Sequence, residues 1–167
     1  VLDNGCEYQH DDGVFTIVSC AYVSPLKRVE RLAQALALLG DDKKYRWVHL
    51  GGGSALESLK KFCGEKLKNV EFEFKGSVKN SEIINFYKEN QVDLFVNTSL
   101  YEGLPVSIME SQSFGIPAVA TNVGGSAEIV KNGVTGYLIP SDFSDEELAK
   151  VIIKASSLSD SEYKQLC

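Results

Sequence analysis

Six short runs of apolar and β-branched residues recur along this chain, and each is followed by a stretch with helical spacing. The strand-like runs are Val14–Cys20, Arg46–Leu50, Val70–Phe74, Val92–Val96, Pro117–Thr121 and Gly136–Ile139. The helix-like stretches are Pro25–Leu39, Ser54–Leu67, Ser81–Asn90, Pro105–Phe114, Gly124–Val130 and Asp145–Ser156. Strands that run the same way need a crossover between them, and a helix supplies it. The alternation therefore predicts an α/β fold of three layers, with helices on both faces of a mostly parallel sheet of about six strands. In the first helix Leu26, Val29, Leu32, Leu36 and Leu39 fall on one side, Ser24 is placed as its cap and Pro25 as its opening residue. In open sheets of this kind ligands lie beyond the carboxyl ends of the strands. The loops at that end, Ala21–Lys27, Gly51–Ser54, Gly76–Lys79, Thr98–Pro105 and Asn122–Ala127, are expected to gather on one edge.

The 167 residues suffice for one domain with its own core, and 44% apolar with 24% charged residues is ordinary for a globular chain. A net charge of −6 argues against a general nucleic-acid or membrane surface. No segment reads as a signal peptide, and no apolar run is long enough to span a bilayer. The cysteines Cys6, Cys20, Cys63 and Cys167 form no CxxC pair, and His10 and His49 give no zinc-site spacing. They read as reduced thiols of a cytoplasmic protein, with Cys20 a small apolar residue inside a strand. The pairs Asp11-Asp12 and Asp41-Asp42 read as solvated turns. Val1 in place of Met, and a last run DSEYKQLC that resembles an unfinished helix, suggest a fragment.

The densest chemistry lies in NTSLYEGLPVSIMESQSFGIPAVATNVGGSAEIVKNGVTG, Asn97 to Gly136. Between Gly103 and Ala127 the one charged residue is Glu110, and a carboxylate in so uncharged a stretch needs donors if it is buried. Together with the surrounding glycines and prolines, this predicts a pocket for a polyhydroxylated, anionic ligand. The turn Glu102-Gly103-Leu104-Pro105 opens a helix whose start offers free N–H groups, those of Gly103, Leu104, Val106 or Ser107, to a phosphate; an ordinary strand-to-helix turn has the same form. Glu110 could accept both hydroxyls of a ribose, or be satisfied by Ser107, Ser111 or Ser113. Glu102 could hold sugar hydroxyls, or be a solvated loop carboxylate. Lys27 and Arg28, read as lying in the first turn of a helix, oppose its dipole by roughly 0.3–1 kcal/mol unless an anion is bound there. Gly51-Gly52-Gly53-Ser54 lacks the third glycine of the dinucleotide fingerprint, which argues against a Rossmann dehydrogenase.

These residues, in this order, resemble the donor-binding domain of the GT-B glycosyltransferases, in particular the large retaining family 4. The block from Asn97 to Ile139 resembles that family's E-x7-E block with its following glycine turn. Ser24-Pro25-Leu26-Lys27 resembles its segment with a phosphate-binding lysine, Gly51-Gly52-Gly53-Ser54 its GxGP-type turn, and Val1-Leu2-Asp3-Asn4-Gly5 the linker entering the domain. The resemblance covers nearly the whole chain. It implies a linker at 1–12, a Rossmann-like nucleotide-sugar-binding domain at 13–157, the start of a C-terminal helix at 158–167, and an acceptor-binding domain preceding Val1.

The implied roles are specific. Glu110 would hold the ribose, Lys27 and the backbone of Gly103, Leu104, Val106 and Ser107 the diphosphate, and Glu102, the candidate catalytic residue, the donor sugar. The turn with Ser77 and Val78 would lie by the base. Sugar would pass with retention from a nucleoside diphosphate sugar to a glycan or lipid-linked acceptor, with no cofactor, no obligatory metal and no nucleic acid. The full-length protein would be cytoplasmic, extending to peripheral association with the cytoplasmic face of a membrane. The family often has an arginine where Tyr22 stands, so Arg28 is the candidate substitute at the diphosphate. A non-catalytic nucleotide-sugar-binding module, an epimerase and a phosphorylase are the alternatives.

Overall fold

In a computed structural model, which describes residues 13–166, every sequence-predicted strand and helix is present. The strands are β1 (Val14–Cys20), β2 (Lys44–Leu50), β3 (Val70–Phe74), β4 (Leu94–Asn97), β5 (Ala118–Thr121) and β6 (Gly136–Ile139). The helices are α1 (Val29–Leu36), α2 (Leu56–Lys66), α3 (Asn80–Glu89), α4 (Val106–Gln112), α5 (Ser126–Ile129), α6 (Asp145–Ser156) and α7 (Asp160–Leu166). The linker residues 1–12, with Cys6, His10 and Asp11-Asp12, and Cys167 lie outside the described residues.

The six strands pair in parallel, in the order β3-β2-β1-β4-β5-β6. This is the doubly wound arrangement, whose order reverses between β1 and β4. Side chains alternate across the pleat, so the strands bury both faces. Phe15, Ile17, Tyr45, Trp47, Leu94, Val96 and Val119 pack on one face against α1, α2 and α6. Val18, Val48, Leu50, Phe95, Ala118 and Ala120 pack on the other against α3 and α4. Asp41 and Asp42 are exposed, as expected of a solvated turn.

Two expectations need correction. The first helix begins at Val29, not Pro25. Residues 24–28 form a turn in which the N–H groups of Lys27 and Arg28 both reach Ser24 O, and Arg28 adopts a left-handed conformation at φ 48°. Lys27 and Arg28 therefore precede the helix rather than filling its first turn, and Leu26 is exposed while Val29, Leu32, Leu36 and Leu39 are buried. Tertiary bonds override the capping signal: Thr98 Oγ1 donates to the carbonyls of both Lys27 and Arg28. The fourth strand runs over Leu94–Asn97 rather than from Val92, with Asp93 bonded to Thr16 of β1 just before it.

That exchange fastens the centre of the sheet. The Thr16 N–H donates to Asp93 Oδ2 at 2.6 Å, and the Asp93 N–H donates to Thr16 O at 2.9 Å. The Tyr163 hydroxyl of α7 donates to the Asp93 carbonyl, also at 2.6 Å. Asp93→Ala is expected to destabilise the fold by about 1–3 kcal/mol, since the buried Thr16 N–H loses its acceptor. Asp93→Asn keeps an acceptor oxygen and should recover part of the loss. Equilibrium urea unfolding of the two variants measures the difference, and equal losses would mean the acceptor is unimportant.

Candidate functional site

The loops after the strands meet on one edge, as the alternation predicts. The Ala21 and Val23 N–H groups donate to the Leu50 and Gly52 carbonyls, joining the loops after β1 and β2. A bridge between Gly51 and Gly76 adds the loop after β3. Leu100 N–H to Leu26 O and Gly125 N–H to Gly103 O complete the rim. Two glycines make this closeness possible. A Cβ on Gly51 (φ 150°) would sit 1.9 Å from Ala21 O, and one on Gly124 (φ 50°) 1.7 Å from Glu102 O, so neither tolerates a side chain.

Glu102 stands at the switch between β1 and β4. It is buried, and one of its oxygens, Oε1, accepts from Lys27 Nζ (2.7 Å), Asn97 Nδ2 (3.1 Å) and Ser99 Oγ (2.5 Å). Burial works against the charge, but the bonds from Lys27, Ser99 and Asn97 outweigh it and hold the carboxyl below its usual range. Glu102 is thus neither a solvated loop carboxylate nor a free one: it is ion-paired to Lys27. Lys27 in turn borders a small cavity with Cys20, Ala21, Asn97, Thr98 and Ser99.

Arg28 is engaged elsewhere. Its guanidinium donates to the carbonyls of Thr98 (2.8 Å), Ser141 (2.8 Å) and Ser99 (3.4 Å) and lies over the Phe143 ring. It clamps the loop that carries Lys27 instead of joining Lys27 beside Glu102. Tyr22, where the resemblance expects an arginine, is exposed, as are Leu100, Tyr101, Leu104 and Val106.

Glu110 lies in α4, half-buried, and accepts from Asn80 Nδ2 at the start of α3. Of the serines considered as its partners, Ser111 Oγ donates to Ile108 O and Ser113 Oγ to the Glu110 carbonyl. Burial, and secondarily the Glu110 charge, push the Cys20 thiol up to about 11, which favours its protonated form at neutral pH. Ser77 stands against Gly52, where a Cβ would come within 2.4 Å of its hydroxyl, and Val78 packs on the α3 side of the core. Gly103, Leu104, Val106 and Ser107 line the approach to α4, which is capped by Pro105 rather than by a side chain.

Asn80, Asn97 and Ser99 were not singled out by the sequence. The one signal for the latter two was the polar run Asn97-Thr98-Ser99 ending an otherwise apolar strand. A further buried chain also went unread. Trp47 Nε1 donates to Ser19 Oγ (2.9 Å), Ser19 Oγ lies 2.8 Å from His49 Nδ1, and His49 Nε2 lies 3.1 Å from Ala21 O. Because the carbonyl can only accept, His49 carries its proton on Nε2 and Nδ1 accepts from Ser19. The chain ties the loop of Lys27 to the core.

Comparison with known proteins agrees with this architecture. The family model described as glycosyl transferases group 1 matches residues 7–166. The chain is 35% identical over 130 residues to the O-antigen biosynthesis glycosyltransferase WbnH of Escherichia coli, covering 72% of this chain and 35% of that protein. It thus spans about a third of the length of that relative. The crystal structure of Anabaena HepE in complex with UDP and glucose superposes with a TM-score of 0.77 at 23% identity, over 92% of this chain and 41% of that one. The C-terminal domain of a glycosyl transferase group 1 family protein from Francisella tularensis superposes at 0.78 and 18% identity, over 91% and 80%. Both likenesses are to the fold.

Burial of His49, against a smaller opposing effect of its bond to Ala21, pushes its pKa down to about 4. The unfolded chain takes up that proton near pH 6.5, so between these values the unfolded state holds more protons. The stability due to neutral His49 is present above about pH 6.5 and is lost, by about 3 kcal/mol, as pH falls toward 4. His49→Gln is expected to flatten this part of the stability profile. Urea unfolding from pH 7 to 4.5 tests it; parallel profiles for the two proteins would rule it out.

Proposed function

The chain belongs to the glycosyl transferases group 1 family, and on that premise we propose that it is the donor-binding half of a retaining, family 4 glycosyltransferase. It holds a nucleoside diphosphate sugar, with UDP or GDP as the nucleotide, for transfer to a glycan or lipid-linked acceptor held by a second domain. Transfer needs no obligatory metal ion or other cofactor. The carrying observation is the ion pair between Lys27, from the loop after β1, and Glu102, from the loop after β4, at the switch where such folds bind ligands, with Glu110 close enough on α4 for its charge to act on Cys20 at the end of β1.

Each residue then has a task. Glu110 accepts ribose hydroxyls, Lys27 meets the diphosphate with the N–H groups around Gly103, Leu104, Val106 and Ser107, and Ser77 and Val78 flank the base. Glu102 faces the donor sugar and, through its ion pair, holds Lys27 in place until the diphosphate arrives. Arg28 acts through Lys27, by fixing the backbone of its loop. Among the described residues no helix is long and apolar enough to cross a membrane, which is compatible with a cytoplasmic enzyme that meets a membrane-bound acceptor at its surface. The similar E. coli and Anabaena proteins support this reading, one by its name as an O-antigen glycosyltransferase and the other by its bound UDP and glucose.

Titration calorimetry of the chain with UDP, GDP, ADP and their sugar conjugates tests the proposal. One series should bind with a Kd on the order of 10 μM to 1 mM, since half of the cleft is missing. No binding of any of them at millimolar concentration would overturn it. Lys27→Ala should weaken the diphosphate by about tenfold and leave the free nucleoside unaffected, with the loss shrinking at high salt. Glu102→Gln removes a negative charge from beside the diphosphate and releases Lys27. Nucleotide alone should then bind several-fold tighter, and the added affinity from the sugar should fall. The chain by itself is expected to bind donor without transferring it, because transfer requires an acceptor held against the anomeric carbon with water excluded. A product assay with and without an acceptor-binding half joined to it checks that expectation.

A further inference from the structure

The roles above leave one part of the cleft unused. The hydrogen bond that Glu110 receives comes from Asn80, the first residue of α3, thirty positions earlier in the chain and on a different element. Asn80 is exposed, while Glu110 is half-buried. A side-chain amide held there does little for the core. It does fix the rotation of a carboxylate that would otherwise swing freely, and it occupies Oε1 alone. A second group stands nearby. Tyr87 of α3 is 5% exposed, and its hydroxyl has no hydrogen-bond partner among the described residues. Its ring lies 5.5 Å from that of Phe114, just past the end of the helix that carries Glu110, and burial, with smaller effects of Cys20 and Glu110, pushes its hydroxyl pKa well up. An orphaned hydroxyl buried to this degree is costly, and it marks a polar environment that the protein itself leaves incomplete.

We propose that Asn80 is a positioning residue for ribose recognition: its amide anchors Oε1 of Glu110 and orients the carboxylate so that its other oxygen meets the sugar hydroxyls of the nucleotide. This rests on the donor-site reading given above and adds a residue to it. Asn80 touches no ligand atom; it acts through Glu110. The consequence is selectivity. An oriented carboxylate distinguishes ribose from deoxyribose, and a freely rotating one does so less well, because part of each hydrogen bond's free energy is lost in ordering the acceptor.

The test is calorimetry with UDP or GDP, whichever binds the wild type, with the 2′-deoxy and 3′-deoxy counterparts, and with pyrophosphate. Asn80→Ala should weaken the ribonucleotide by about five- to tenfold while leaving pyrophosphate unchanged, so that the ratio of ribo- to deoxynucleotide affinity collapses toward one. Asn80→Asp keeps the shape but sets a second carboxylate against Glu110, and should lose more than Asn80→Ala. Tyr87→Phe is the companion measurement for the same patch. It should preserve the ribo/deoxy ratio better than Asn80→Ala, since the amide orients the carboxylate and the phenol does not. If Asn80→Ala binds the ribonucleotide as the wild type does, or loses equally for ribonucleotide, deoxynucleotide and pyrophosphate, the positioning role is wrong while the donor site stands. A wild type that binds none of the nucleotides overturns both.

Discussion

The pairing of β1 with β4 holds the molecule's two halves together. The ladder between these strands is short: Ile17 lies opposite Leu94 and Val18 opposite Phe95. By contrast, β1 matches β2 along its whole length. The weak side of the central strand is also where the loops must part, one toward α1 and the other toward α4. A short ladder there leaves room for a cleft but gives up backbone hydrogen bonds. The deficit is met from below by the Asp93–Thr16 exchange and from above by Thr98 and Arg28, which tie the two departing loops together, while Thr121 of β5 holds the Ser99 carbonyl. The strand pair is therefore fixed at both ends, and the cleft opens at the upper one, where the loops leave the strands.

Electrostatics at the cleft follow from that geometry. Glu102 is buried because its loop is pinned between β4 and the glycine turn before α5. A buried carboxylate stays ionised only when donors converge on it, and Lys27, Asn97 and Ser99 do so. Glu110, on the outer side, needs less support and has less. The cleft thus holds one carboxylate that is strongly engaged and one that is lightly held, with a single lysine near the first.

The sheet, its order-determining alternation and the edge on which the loops meet were legible in the sequence, because apolar periodicity records what each strand buries. Val70–Phe74 has unambiguous ends, with Asn69 before it and Lys75 after it, and Gly13 marks the start of Val14–Cys20. The start of α1 was not legible. Ser24 and Pro25 carry an honest capping signal, but the conformation of residues 24–28 is decided by hydrogen bonds to Thr98, Ser99 and Ser141, 70 to 113 residues beyond Arg28. The same holds for the cleft. The two glutamates could be found from their spacing and from the absence of other charges around them. Their partners could not, since Asn80 and Lys27 are brought to them only by the folding of other units. Arg28 is a candidate phosphate ligand because charge is visible in a sequence, whereas the carbonyls it meets in the fold are not.

The chain of hydrogen bonds from Trp47 to Ala21 has a direction. An indole N–H can only donate, so Trp47 sets the orientation of the Ser19 hydroxyl, which sets the imidazole, which ends on a carbonyl of the loop that carries Lys27. Trp47 is also the one tryptophan in the sequence, and it is fully buried with the His49 ring 6.1 Å away. The tryptophan fluorescence of this chain therefore comes from a single indole wired to the edge of the cleft. Any event that shifts the loop, protonates the imidazole or breaks the serine bond alters the surroundings of that one emitter, so the protein carries its own optical reporter of the order in its binding edge.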